Sequence, residues 1–157
     1  MNALRPKTAC FTGHRHVAPG DVRMLRQKLI DTVIGLYKRG YRYFGAGGAL
    51  GFDTMAAQTV LDLRKEYSDI RLILVLPCGD QSREWTVTQR GEYERIRGLA
   101  DKEVVLFRTY NEGCMQARNR HLVDHSSVCI TYCRRATGGT VYTRNYAVRQ
   151  GLELIDL

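Results

Sequence analysis

The chain has 157 residues, of which 44% are hydrophobic and 25% are charged, and its formal net charge is +8 at pH 7. This composition excludes a disordered chain, and the length predicts a single domain, residues 1–157, with a core of its own. The positive charge indicates an anionic partner. Because no run of five basic residues occurs, charge alone favours a nucleic acid only weakly.

Strand-like and helix-like segments alternate from end to end. Strands are predicted at residues 8–12, 42–46, 71–76, 103–107, 128–132 and 152–155. Helices are predicted at residues 21–38, 53–66, 92–99, 114–124 and 140–150. This alternation predicts an α/β fold: a Rossmann-like open, mostly parallel sheet of about six strands with helices on both faces. Pro77 is expected to end the third strand, and residues 78–88 are expected to form a flap.

Three glycine-bearing turns each follow a predicted strand. They read Thr-Gly-His-Arg at 12–15, Gly-Ala-Gly-Gly-Ala-Leu-Gly-Phe-Asp at 45–53 and Thr-Gly-Gly-Thr at 137–140. Glycine lets main-chain N–H groups approach a ligand, and a helix N-terminus behind the turn favours negative charge. Since such turns share one edge of a parallel sheet, we expect them to form one phosphate-binding crevice. The residues predicted to surround the phosphates are Gly13, Arg15, Gly47, Gly48, Gly51, Gly138, Gly139 and Thr140. His14 is predicted to bind the ligand through a proton-linked contact.

Three further residues are candidates for contacts with a sugar or a base: Asp53, Arg118 and Asn119. Asp53 caps the following helix or accepts a hydrogen bond from a ribose hydroxyl, and the sequence leaves both roles open. The second turn has neither the G-x-G-x-x-G spacing of dinucleotide sites nor the Lys of a Walker loop. No nucleophile with a paired base stands out, so catalytic residues stay unassigned.

The sequence offers little support for a metal site or a secreted protein. His121 and His125 have the i, i+4 spacing of helical zinc ligands but lack a companion set, so no metal is expected. The five cysteines form no C-x-x-C pair, and no stretch has the length of a membrane span. We therefore expect a cytoplasmic protein without a membrane partner.

These motifs together resemble the YpsA-like family of the SLOG superfamily, which is named for the Smf/DprA proteins and the Lonely Guy enzymes. The residues that carry the resemblance are Cys-Phe-Thr-Gly-His-Arg at 10–15, Gly-Gly-Ala-Leu-Gly-Phe-Asp-Thr at 47–54, Arg-Asn-Arg at 118–120 and Gly-Gly-Thr at 138–140. The resemblance runs over essentially the whole chain. It implies a Rossmann-like sheet that binds a nucleotide derivative such as ADP-ribose or NAD, as a bacterial sensor or binding module that needs no other cofactor.

The resemblance also implies two alternatives and leaves a homodimer open. DprA-like proteins bind single-stranded DNA and have a turn like that at 48–53. Lonely Guy enzymes hydrolyse nucleoside monophosphates with a glutamate shortly after their glycine loop, but Thr143 stands at that position here. A hydrolase would therefore lack the carboxylate that supports its reaction.

Overall fold

The computed structural model describes residues 3–157, so residues 1 and 2 of the predicted domain lie outside the described part. The strands are β1 Thr8–Gly13, β2 Tyr43–Ala46, β3 Arg71–Cys78, β4 Lys102–Phe107, β5 Val128–Tyr132 and β6 Glu153–Asp156. The helices are α1 Val22–Lys38, α2 Phe52–Leu63, α3 Val87–Leu99, α4 Cys114–Asp124 and α5 Gly139–Arg149. Short 3₁₀ turns cover Arg5–Lys7 and Pro19–Asp21.

The six strands form one open sheet in the order β4-β3-β2-β1-β5-β6, and every neighbouring pair is parallel. The predicted Rossmann-like fold is therefore confirmed. The chain moves outward from β1 to β4 and then crosses to the other side of β1, where β5 pairs with it. Such a reversal creates a crevice outside the carboxyl ends of β1 and β5, where α/β proteins place their ligands.

Helices cover both faces of the sheet, but unequally. Helices α1, α2 and α3 contact one another in sequence on one face, and α4 and α5 pack together on the other. The larger core, with Phe11, Phe44 and Phe52 in ring contact, lies under the first three helices. A smaller core beneath α4 and α5 contains Cys10 and Cys129 from adjacent strands. The central strands are buried on both sides, which explains their continuous apolar sequence.

Three predicted boundaries need correction. Strand β3 continues through Pro77 to Cys78, because Cys78 still pairs with Phe107 of β4, while β2 pairs only with residues 71–74 and does not need the proline N–H. Helix α3 begins five residues earlier than predicted, where Thr86 and Gln89 form a capping box. Helix α2 ends at Leu63, three residues short of the prediction. Among the described residues, no helix has the length and apolar character that crossing a membrane requires.

Candidate functional site

A cavity of about 310 Å³ lies at the crevice between β1 and β5. The end of β1, the first turn of α2, the first half of α4 and the loop from β5 to α5 all contribute to its walls. The lining residues are Phe11, Thr12, Gly13, His14, Arg15, His16, Ala49, Asp53, Met115, Arg118, Asn119, Arg135, Gly139 and Thr140. Three arginines and one carboxylate stand among them, so the cavity carries a net positive charge.

Eight of the twelve residues named from the sequence line this cavity, and four do not. The eight are Gly13, His14, Arg15, Asp53, Arg118, Asn119, Gly139 and Thr140. Gly47, Gly48, Gly51 and Gly138 lie outside the lining set. Each of the three glycine turns contributes at least one residue to the lining, but four of the named glycines do not line the cavity.

The turn before α2 is closed by the chain itself. The main-chain N–H of Phe52 donates to the carbonyl of His14 at 3.1 Å, and the Asp53 carboxylate accepts from the N–H of Ala49 at 3.2 Å. A Cβ atom at Gly48 would stand 2.5 Å from Leu76 Cδ2, and one at Gly51 would overlap the main chain of Arg15. These two glycines are therefore required for packing, and this helix N-terminus has its own carboxylate.

The turn before α5 is open. Gly138 precedes the helix without a side-chain cap, and the first turn holds no acidic residue. Within residues 3–157, the N–H groups of Gly139 and Thr140 donate to no other group of the protein. Thr140 is only 8% exposed and lines the cavity. Unpaired N–H groups and the positive end of the helix dipole together favour an anion at this point.

Asp53 and Arg118 are both buried beside Gly47. A Cβ atom at Gly47 would stand 2.8 Å from Asp53 Oδ2 and would overlap the Arg118 guanidinium. Arg118 donates through Nη1 to the Gly47 carbonyl and through Nε to Asn119 Oδ1 at 2.6 Å. Burial raises the pKa of the Asp53 carboxyl, while the nearby Arg118 charge opposes that rise. Burial likewise lowers the pKa of Arg118.

His14 links the first loop to the loop after β5. Its Nε2 accepts the main-chain N–H of Arg134 at 2.7 Å, which requires that nitrogen to be unprotonated. Burial, together with the charges of Arg135 and Arg134, lowers the pKa of His14. A neutral ring with its proton on Nδ1 therefore fits the site.

The residues 78–88, expected to form a flap, pack away from the cavity. Trp85 makes an edge-on contact with Tyr93 at 5.0 Å, and Gln81 bonds the Tyr93 hydroxyl at 3.2 Å. None of these residues lines the cavity. Through Gln81, the segment contacts both helix α3 and the turn at Gly48.

His121 and His125 lie outside the crevice as well. Their rings stack at 4.1 Å, and within residues 3–157 no group of three His, Cys, Asp or Glu side chains could share a metal ion. Both histidines line a second cavity of about 350 Å³ beside α4. Its floor is apolar, with Ile73, Val75 and Leu122, and it has no helix N-terminus.

Sequence reasoning missed several residues that line the site, above all Arg135. It lies in the loop after β5, three positions before Gly138, so its place next to a glycine turn was a usable signal. Phe11 and Thr12 stand inside the motif at 10–15, but Met115 carried no such signal, because only the packing of α4 against β1 brings it to the cavity.

A model of the YpsA family, described as the YspA SLOG family, matches residues 11–152. This chain belongs to that family. The resemblance inferred from the glycine motifs is thus confirmed. The chain is also similar to the SPbeta prophage-derived protein YoqJ of Bacillus subtilis, with 29% identity over 136 residues. That match spans 78% of this chain and 80% of YoqJ.

Two solved structures of DNA processing protein A have the same fold. The protein from Streptococcus pneumoniae is 16% identical with a TM-score of 0.67, and the match covers 97% of this chain and 50% of that one. The protein from Helicobacter pylori, whose structure describes a single-stranded DNA binding mode, is 22% identical with a TM-score of 0.67, and 65% of it is covered. Because identity is low and much of each protein is unmatched, these likenesses establish the fold alone.

Proposed function

We propose that the cavity at the carboxyl ends of β1 and β5 binds a phosphorylated nucleotide derivative, and that the protein acts as a sensor or binding module. The observation that carries this proposal is the open N-terminus of α5, where unpaired N–H groups, the buried Thr140 and the Arg135 guanidinium border one cavity. Such an arrangement suits the terminal phosphate, because charge-assisted hydrogen bonds converge on it. Family membership supports the same class of ligand.

The closed turn before α2 changes the predicted roles within this site. Its helix N-terminus already has the Asp53 carboxylate, so we place the phosphate at Gly139 and Thr140 and the sugar or base near Asp53, Arg118 and Asn119. The roles of Gly48 and Gly51 are to shape the turn that carries Ala49 and Asp53. A Gly48→Glu variant would therefore report on folding as well as binding.

The test is calorimetric titration of the protein with AMP, ADP-ribose and NAD. We expect saturable binding of at least one ligand, and Arg135→Ala should weaken it by about 10- to 100-fold, as loss of a charged hydrogen bond does. Arg149→Ala is the matched control, because it removes the same charge from the far end of α5. Absence of saturable binding to all three ligands would contradict the proposal, as would equal losses in the two variants.

The position of Thr143 argues against hydrolysis of an N-glycosidic bond. Its side chain is 2% exposed and its hydroxyl donates to the Gly139 carbonyl at 2.9 Å, so it faces its own helix and supplies no carboxylate. Incubation with AMP should therefore release no adenine above the uncatalysed rate. Adenine release with turnover would make the protein an enzyme.

Single-stranded DNA binding is the second candidate, and the exposed arginines at the cavity mouth favour it. Arg15 and Arg135 are both exposed and line this cavity, and the DprA fold is shared. Binding through these charges should weaken steeply as salt rises, because it releases counterions from the phosphates. A labelled oligonucleotide that shows no shift at low salt would remove this candidate.

A further inference from the structure

The walls of the cavity differ chemically on its two sides. On one side the α5 N-terminus and Arg135 present only donors. On the other side the buried Asp53 presents an acceptor next to the buried Arg118, which is a donor. The first side suits a phosphate, while the carboxylate acceptor at the second side suits a ligand group that can donate a hydrogen bond, such as a hydroxyl.

Asp53 keeps one oxygen without a protein partner. Its Oδ2 accepts from the Ala49 N–H, and no hydrogen bond to Oδ1 is present among residues 3–157. Asp53 makes no ion pair with Arg118, since no N–O distance between them is within 4.0 Å in the described chain. The side chain is nevertheless 93% buried, because only 7% of its surface is exposed. Because Asp53 lines the cavity, this oxygen is available to accept a hydrogen bond from a ligand.

Arg118 and Asn119 provide the complementary donors. Arg118 uses Nε and Nη1 within the protein, while its Nη2 has only the Met115 sulfur at 3.8 Å. Asn119 uses its Oδ1 to accept from Arg118, which leaves its Nδ2 group available. A hydroxyl can donate one hydrogen bond and also accept one. Two adjacent hydroxyls can therefore donate to the unpaired oxygen of Asp53 and accept from the free N–H groups of Arg118 and Asn119.

Resting on the proposed function, we infer that Asp53 makes this site selective for ribose over 2′-deoxyribose. The two hydroxyls of the ribose ring lie between Asp53, Arg118 and Asn119, with the 5′-phosphate at the α5 N-terminus. A 2′-deoxy ligand removes one hydroxyl and leaves buried polar groups without a partner, which sites of this kind penalise strongly. Ribonucleotides are then the ligand class, and deoxyribonucleotides, including DNA, are excluded from the cavity itself.

The experiment compares AMP, 2′-deoxy-AMP and the arabinose analogue of AMP, in which the 2′-hydroxyl is inverted, by calorimetry with the unmodified protein. We expect AMP to bind at least about tenfold more tightly than either analogue. Comparable affinity for AMP and 2′-deoxy-AMP would overturn the inference while leaving the proposed function intact. If none of the three binds, this inference fails, and the titrations with ADP-ribose and NAD decide whether the proposed function fails as well.

The variant Asp53→Asn tests whether Asp53 causes the selectivity. Its amide oxygen can keep the bond from Ala49, so its amide nitrogen would replace the acceptor that faces the cavity with a donor. The ratio of AMP to 2′-deoxy-AMP affinity should fall to within about twofold of unity. Asp62→Asn, an exposed position on the same helix, should keep the unmodified ratio. If the folded Asp53→Asn protein keeps the unmodified ratio of AMP to 2′-deoxy-AMP affinity, Asp53 does not cause the selectivity. If that variant does not fold, the comparison of the three ligands with the unmodified protein tests the inference.

Discussion

The turns before α2 and before α5 have similar sequences and opposite structural roles. Both place a glycine pair between a parallel strand and a helix. Before α2, the His14 carbonyl accepts the N–H of Phe52, the Asp53 carboxylate accepts the N–H of Ala49, and glycine is needed where neighbouring atoms crowd the turn. Before α5, nothing lies within 4 Å of a Cβ atom built at Gly138 or Gly139, and the N–H groups of the first turn are unpaired. Glycine content therefore does not distinguish a packed turn from a ligand-binding one.

The largest effect should come from Gly51→Ala in the closed turn. Gly51 has a φ of +77°, and a Cβ atom there would overlap the main chain of Arg15. We expect the free energy of unfolding in urea to fall by about 2–4 kcal/mol, because the backbone strain at Gly51 and the overlap with Arg15 can be relieved only at a large cost in energy. Gly91→Ala, in an uncrowded position of α3, is the control and should gain about 0.5–1 kcal/mol. A loss below about 1 kcal/mol for Gly51→Ala would show that the turn is less constrained than the contacts indicate.

Gly139→Asp in the open turn should affect binding and stability in opposite directions. The new carboxylate would lie at the α5 N-terminus, where it should stabilise the helix by about 0.3–1 kcal/mol. It would also repel the ligand phosphate, so nucleotide affinity should fall at least about tenfold in calorimetry. Gly20→Asp adds the same charge at another exposed, uncrowded glycine and should leave affinity within about twofold. Unchanged affinity in Gly139→Asp would mean that the phosphate does not bind at this turn.

A smaller effect should come from His14, which contacts both turns. Its carbonyl accepts from Phe52, and its ring accepts from Arg134. Because its pKa is lowered on folding, the unfolded chain binds more protons between that lowered pKa and 6.5. The free energy of unfolding should therefore decrease as the pH falls below 6.5, with the full contribution present above it. Urea unfolding from pH 5 to 8 measures this slope.

Two matched variants test whether His14 causes this pH dependence. His14→Gln keeps an acceptor for the Arg134 N–H without a titrating ring, so the slope below pH 6.5 should flatten. His16→Gln, at the exposed neighbouring position, should keep the slope of the unmodified protein. Identical slopes in all three proteins would assign the pH dependence to other groups.

The sequence predicted the order of strands and helices and the edge of the sheet where the candidate site lies. It did not predict the role of each turn. Helix α4 and strand β5 have the predicted bounds, because their apolar periodicity and flanking residues are strong local signals. The Thr86–Gln89 capping box was also a local signal, and reading it would have placed the start of α3 correctly. Arg135 was missed although it precedes a glycine turn, because basic loop residues are common on any surface.

The sequence by itself determined the alternating elements, the parallel sheet and the gathering of glycine turns at its carboxyl edge, since these follow from local periodicity and from the handedness of βαβ connections. Only the tertiary structure decided which helix N-terminus is open and which is closed. That distinction depends on hydrogen bonds between His14 and Phe52 and on the burial of Asp53 beside Arg118. Those contacts join residues far apart in the chain, and no local pattern encodes them.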